Sequence, residues 1–329
     1  MKTKSLMGGA VFGFIVWTAP SFGHTTLGGG FVAIGSTGGE AQESSAAQNK
    51  TSWIAPRTSW GHPDLQGIWT NFDRTPFERP ESVNPAPRRN TGPGVGPAPE
   101  FSQDWAHSRL SPVRPSVVVD PSDGRVPARP EAEARRDYDL AHLTDSWEYN
   151  SPWERCITRG VPGGMFPSDY NNARRIVQMP DVVVIHQEMI HETRIIRIDG
   201  RPHLPPNIRL WMGDSRGHWE GDTLVVETTN FDDRTWITNN AATGRIKGIH
   251  STADLRVVER FTRVNANTIN WQATIEDPTV FTRSWTVAMP LNLEPAYQMY
   301  EYACHEGNYA LTNILAGARA QEKKGEAGR

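Results

Sequence analysis

The chain is short of several things. It has two cysteines in 329 residues, no surplus of basic side chains, and no nucleotide-binding fingerprint. Each shortage excludes something. Against 34 Lys and Arg stand 37 Asp and Glu, a formal net charge of −3, with the signs mixed along the chain. Polyanion binding shows as clustered basic excess, so no nucleic-acid partner is expected. No G-x-G-x-x-G follows a strand-like run, and there is no P-loop and no G-x-S-x-G elbow. No cofactor is therefore expected. Beyond the first two dozen residues no stretch approaches the apolar length of a spanning helix.

What the chain has in quantity is Pro, Gly and Trp: 25, 29 and 12. Proline and glycine at this density mean many turns and irregular connections. Tryptophan serves an aromatic core or a ring-binding cleft, and its indole N–H needs a partner when buried.

Residues 1–23 read as a signal peptide. Lys2 and Lys4 precede the apolar Leu6 to Pro20, and Ser21-Phe22-Gly23 fits a cleavage site. The expected destination is the periplasm or the extracellular space, with no stable membrane span after cleavage. Residues 24–50, rich in Gly, Ser and Ala, read as a disordered leader. In an oxidising compartment the one cysteine pair, Cys156 and Cys304, is expected to form a disulfide. A Cys304–His305 nucleophile pair is disfavoured, because neighbours on a strand point to opposite faces.

Residues 51–172 read as a Pro- and Gly-rich arm with one helix and a long loop. Gln66 to Thr70 is a short strand, and Val117 to Asp120 another. Pro130 to Leu143 starts a helix with Pro in its first turn and acids close behind. The loop Ser151 to Asn172 is long enough for a lid or binding loop, and Tyr170 and Asn171 close it.

From residue 173 to 329 the pattern is β. Ile269, Trp271, Ala273 and Ile275 alternate with polar residues, and Phe281 to Met289 repeats the pattern. With Asp181–Met189, Ile190–Ile198, Leu210–Met212, Thr223–Thr229, Leu255–Val264 and Tyr297–Cys304, about eight strands follow without intervening helices. The fold class is mainly β: an antiparallel meander barrel with a closing C-terminal helix from Asn308.

Chemistry concentrates between Gln178 and Phe231. On the first strand of this stretch His186 and Glu188 share a face, roughly 6–7 Å apart. A bulge at the bend brings His191 or Arg194 to the same face. An imidazole, a carboxylate and a guanidinium on one wall suffice for acid–base work, with Glu188 as base, His186 or His191 as its partner and Arg194 holding an anion. Two His and one Glu would also be a minimal divalent-metal set, although H-x-E-x-x-H is not the helical zinc spacing. His203, Asp214 and His218 sit at turns and strand ends, where a barrel presents binding groups. His305 and Glu306 follow the last expected strand.

Together PDLQGIWTN, VVIHQEMIHETRIIRIDGRPH, GDSRGHWEGDTLVVETTNF and YEYACHEGNY resemble a large family of exported, mostly uncharacterised bacterial proteins. The resemblance implies an acid at Glu188 and a Cys-x-Glu at Cys304 and Glu306, with His191 variable; it implies no reaction. Shorter stretches are similar to calycin (lipocalin-like) barrels. Two functions stay open: an exported enzyme doing lyase, isomerase or hydrolase chemistry on a small cyclic or aromatic molecule, and a non-catalytic barrel binding an apolar or glycan ligand. Oligomeric state is not legible.

Overall fold

The computed structural model describes residues 53–71, 75–80, 114–168, 170–240, 242 and 244–327. The expected signal peptide, the leader and the proline-rich run at 92–99 lie outside the described residues.

Ten strands make one sheet: β1 (Gly67–Thr70), β2 (Val118–Asp120), β3 (Arg174–Met179), β4 (Val182–Gln187), β5 (Thr193–Arg197), β6 (Asp214–Glu220), β7 (Thr223–Thr229), β8 (Arg256–Asn265), β9 (Thr268–Glu276) and β10 (Trp285–Leu293). Nine of them close into a barrel, because β1 pairs with β3 on one side and β10 on the other, while β2 lies outside along β10. The two helices are α1 (Pro130–Ala141) and α2 (Ala310–Ala327). α1 begins with Pro in its first turn followed by Glu131 and Glu133, which suit the exposed N–H groups there. It docks through Asp139, whose Oδ2 lies 2.6 Å from His250 Nε2. Among the described residues no helix is long and apolar enough to cross a membrane.

The alternating positions point inward as their period demands. Ile269, Trp271, Ala273 and Ile275 are fully buried, as are Trp285, Val287, Met289 and Leu291 on the next strand. The hairpin turn at Gly221 holds φ at 59°, a conformation glycine adopts without strain. Aromatic rings fill the interior: Trp69, Trp271, Trp285 and Phe261 are all at 0% exposure.

The structure corrects the expected layout in three places. Tyr297–Cys304 is not a strand, because the arm segment β1 already occupies the position beside β10 and no edge is left there. Leu210–Met212 makes only a single bridge, to Phe231. The sheet is also not a pure meander: β5 and β6 run parallel at Arg197 and Arg216. The connection between them, carrying Pro202, Pro205 and Pro206, turns the chain back so that β6 begins alongside the last residues of β5.

The loop at 151–172 is a plug rather than a free lid. Gly163, Gly164, Met165 and Phe166 are buried, and the Phe166 ring meets inward-pointing Trp271 edge-on, with centroids 6.3 Å apart. A Cβ on Gly164 would collide with the side-chain amide of Gln187 on β4.

Inside the barrel Arg194 on β5 reaches Glu259 on β8, Nη1 to Oε2 at 2.5 Å and Nη2 to Oε1 at 3.1 Å. Trp271 Nε1 donates to the same carboxylate at 3.0 Å. Breaking a buried pair from one side strands the other charge. Glu259→Leu is expected to cost about 3–5 kcal/mol in urea unfolding. Glu259→Leu with Arg194→Met should recover most of that, leaving about 1–3 kcal/mol for the orphaned indole N–H. An equal loss in the single and double variants would show that the charge pair is not what matters.

Candidate active site

The chain leaves the β4 strand geometry at Glu188, which is helical at φ −64° and ψ −49°. Alternation therefore breaks there. Gln187 and Glu188 are both buried, and His186 alone stays on the outer, partly accessible face. A single tight turn follows at Met189–His191, in which Ile190 and His191 hold φ at 61° and 45°. Two successive non-glycine residues in the left-handed region cost energy, most of all the β-branched Ile190. The neighbours hold them there: Ile190 is 4% exposed, and the His191 N–H donates to Glu188 O at 3.0 Å.

A strap without helix or strand, residues 294–309, crosses this bend between β10 and α2. Tyr297 Oη donates to both oxygens of Glu188, at 2.9 and 3.1 Å, and the Tyr300 N–H donates to Oε1 at 2.9 Å. His191 Nδ1 lies 2.9 Å from Tyr302 O. A carbonyl only accepts, so Nδ1 carries the proton and Nε2 is the basic nitrogen of the neutral ring. The Tyr302 ring stacks with Tyr170 at 6.2 Å and 26°. Next along the strap, Cys304 is joined to Cys156, so the expected disulfide is present. Asn308 Nδ2 then donates to Glu154 O at 3.3 Å.

Of the residues singled out in the sequence, Glu188, His191, His186 and Tyr170 converge here. Burial, together with the charges of Arg175 and His191, lowers the His186 pKa against the pull of Glu188. Its Nδ1 sits 2.9 Å from Thr193 Oγ1. Asn171 holds φ at 45° beside Tyr170. Arg194 is not part of this group, its guanidinium being committed to Glu259 inside the barrel. His203 and Asp214 form a separate cluster, with Nδ1 to Oδ2 at 2.9 Å. Burial pushes the Asp214 pKa up, but hydrogen bonds from Arg216, the Leu204 N–H and His203 outweigh it and hold the acid low. His218 is exposed on β6 beside Glu220, and His305 is exposed past the disulfide. Glu306, also exposed, edges a cavity of about 280 Å³ lined by Trp153, Cys156, Cys304, Leu311 and Ile314. Among the described residues no group of three or more His, Cys, Asp or Glu is placed to hold a metal ion.

Sequence reasoning missed Arg159, Glu192, Tyr297 and Tyr302. Glu192 Oε2 accepts the Arg159 N–H at 3.0 Å. The signal available for Arg159 was its place three residues after Cys156, which the disulfide fastens to the strap. No family model matches the chain, and no curated protein or solved structure matches it significantly.

Burial raises the Glu192 pKa above its ordinary 4.5, against the hydrogen bond from Thr158 and the nearby Arg159. Between those two values the native state holds a proton that the unfolded chain has lost. Stability from this group therefore falls as pH rises through the interval. Glu192→Gln keeps an acceptor for the Arg159 N–H and has no proton to lose. Its unfolding free energy, measured in urea from about pH 4 to about pH 8, should decline less steeply with pH than the wild type's. Parallel profiles would show that burial does not hold the proton on Glu192.

Proposed function

We propose that the protein is an exported small-molecule enzyme working by acid–base chemistry at the strapped β4–β5 bend. The observation that carries this reading is the state of His191. Its Nδ1–H is tied to a backbone carbonyl, its basic Nε2 has no partner among the described residues, and strained backbone holds it in place. An imidazole held by its Nδ1–H on a pre-set bend, with Nε2 turned away from that bond, is the arrangement a general base needs. His186, kept toward its neutral form, is the second group able to carry a proton. Glu188 is a positioning residue in this scheme. With no exposure and three hydrogen bonds to the strap, its carboxylate fastens Tyr297 and Tyr300 rather than meeting a substrate.

The stacked Tyr170 and Tyr302 rings favour a cyclic or aromatic substrate. The reaction class is lyase, isomerase or hydrolase. The disulfide suits an oxidising compartment such as the periplasm or the extracellular space. A second reading, a non-catalytic binder, has one observation in its favour: the cavity beside the disulfide carries the apolar side chains Leu311 and Ile314. With the barrel interior filled by rings, a bound apolar ligand would sit there.

The test is an untargeted mass-spectrometric comparison of wild type and His191→Ala, each incubated with metabolite extracts. The enzyme reading expects a compound consumed by wild type, with a product differing by water or not at all. His191→Ala should slow that turnover by about 10²–10⁴-fold. Equal turnover by the variant removes His191 as the base. A compound that co-purifies with both proteins and is never consumed makes the protein a binder.

A further inference from the structure

Three arginines in or beside the plug, Arg155, Arg159 and Arg174, have no carboxylate within ion-pair distance among the described residues; Arg155 lies over the Trp147 ring, 5.2 Å from its centre. Arg174, 2% exposed, is held by backbone carbonyls: Nη1 donates to Asn172 O at 2.8 Å, and Nη2 to Met165 O at 2.8 Å and Gly164 O at 3.2 Å. Burial, and the charge of Arg159, pull its pKa down to about 9. Arg159 has far less. Its Nη1 faces the Met189 thioether at 2.8 Å, and its guanidinium carbon lies 5.9 Å from the centre of the Trp153 ring. Its Nε and Nη2 make no hydrogen bond among the described residues, and the side chain keeps partial access to solvent.

A guanidinium presents five N–H donors in a flat fork shaped for a carboxylate. Here most of that fork is unused, in a packed surround that penalises its charge. The nearest acid, Glu192, meets the Arg159 backbone rather than the guanidinium and is itself pushed toward its neutral form. The free edge of the guanidinium therefore has no anionic partner of its own, and one small anion would supply it. Tyr170 and Tyr302 lie within electrostatic reach of Arg159 and supply aromatic faces beside it, Tyr170 being 41% exposed.

We propose that Arg159 is the anion-binding residue of this site and that its ligand is a small aromatic carboxylate, the carboxylate on the free edge of the guanidinium and the ring against Tyr170 and Tyr302. The proposal rests on reading the β4–β5 bend as the functional site, and it names the substrate class. A carboxylate fits better than a phosphate, because a single guanidinium carries one charge and offers one flat pair of donors.

The experiment is calorimetric titration of the whole mature chain with benzoate, with benzamide as the neutral isostere and inorganic sulfate as the ringless anion. Benzoate should saturate, with the two controls at least about tenfold weaker, since a hydrogen bond to a charged group is worth that much. Arg159→Gln should weaken benzoate by about ten- to a hundredfold, and Arg159→Lys, a point charge without the fork, by less. Tyr170→Ala, at an exposed ring, should weaken benzoate and leave sulfate unchanged; this second variant tests the site even if Arg159→Gln fails to fold. Benzoate that does not saturate, benzamide binding as tightly, or Tyr170→Ala and a folded Arg159→Gln binding like wild type each overturn the proposal. The two readings fail separately. Arg159-dependent benzoate binding without any His191-dependent turnover removes the enzyme and keeps the anion site. His191-dependent turnover of a neutral compound with no benzoate binding does the reverse.

Discussion

Closure of the barrel is the constraint on which the other features depend, and four residues provide it. Gly67 to Thr70 fill the gap between β3 and β10, with Trp69 opposite Arg174 on one side and Leu293 on the other. Without that segment both flanking strands would carry unpaired backbone N–H and C=O groups, which a closed barrel removes. The short strand does more than cover an edge. Its Trp69 ring is fully buried, with Nε1 bonded to Leu65 O at 2.8 Å, so the closing strand also delivers core. Because the arm takes this place, the segment after β10 has no edge to join. It is left free to run as a strap across the β4–β5 bend.

The strap explains why so many polar contacts meet at one place. Glu188 receives its tyrosine and backbone donors from it, His191 finds its carbonyl on it, and the disulfide pins it to the loop that carries Arg159. An entropy estimate makes the pin significant: linking positions 148 residues apart removes about 5 kcal/mol of unfolded-state freedom in the chain-entropy model. That restraint acts on the two segments that flank the bend, so it helps to hold Ile190 and His191 in a conformation they would otherwise leave.

The β elements and the hairpin turns were legible in the sequence because period-two burial and glycine turns are local signals. Trp271 between Ala273 and Ile269 could only face inward, and Pro130 could only open a helix. The disulfide was legible from compartment and count. Glu188 was read as part of a strand wall because a two-residue period carries no notice of where a strand stops, and it is buried because the strap, distant in sequence, covers it. Arg194 was expected beside His186 but points into the core instead, and its partner Glu259 lies 65 residues away, where no local pattern can pair them. Tyr300 and Tyr302 are spaced as on one face of a strand; what denied them a strand was the occupied edge, a property of the closed sheet and not of their own sequence.

Buried Arg194 and Arg174 and the partly exposed Arg159 differ in how their charge is met, and the difference separates scaffold from site. Arg194 has a carboxylate on both of its Nη atoms and an indole sharing that carboxylate, with Nε alone unpaired. Arg174 has no acid but spreads its charge over the carbonyls of the plug, so it ties the plug to the barrel wall. Arg159 has a thioether, an indole face and unused donors, beside strained backbone and an imidazole with a free basic nitrogen. The first two have both ends of the guanidinium fork engaged and only Nε unpaired, whereas Arg159 has one end on a thioether and the rest of its fork unused. That open fork lies at the bend where the strap, the disulfide and the left-handed residues converge, and an anion from solution is the partner this geometry lacks.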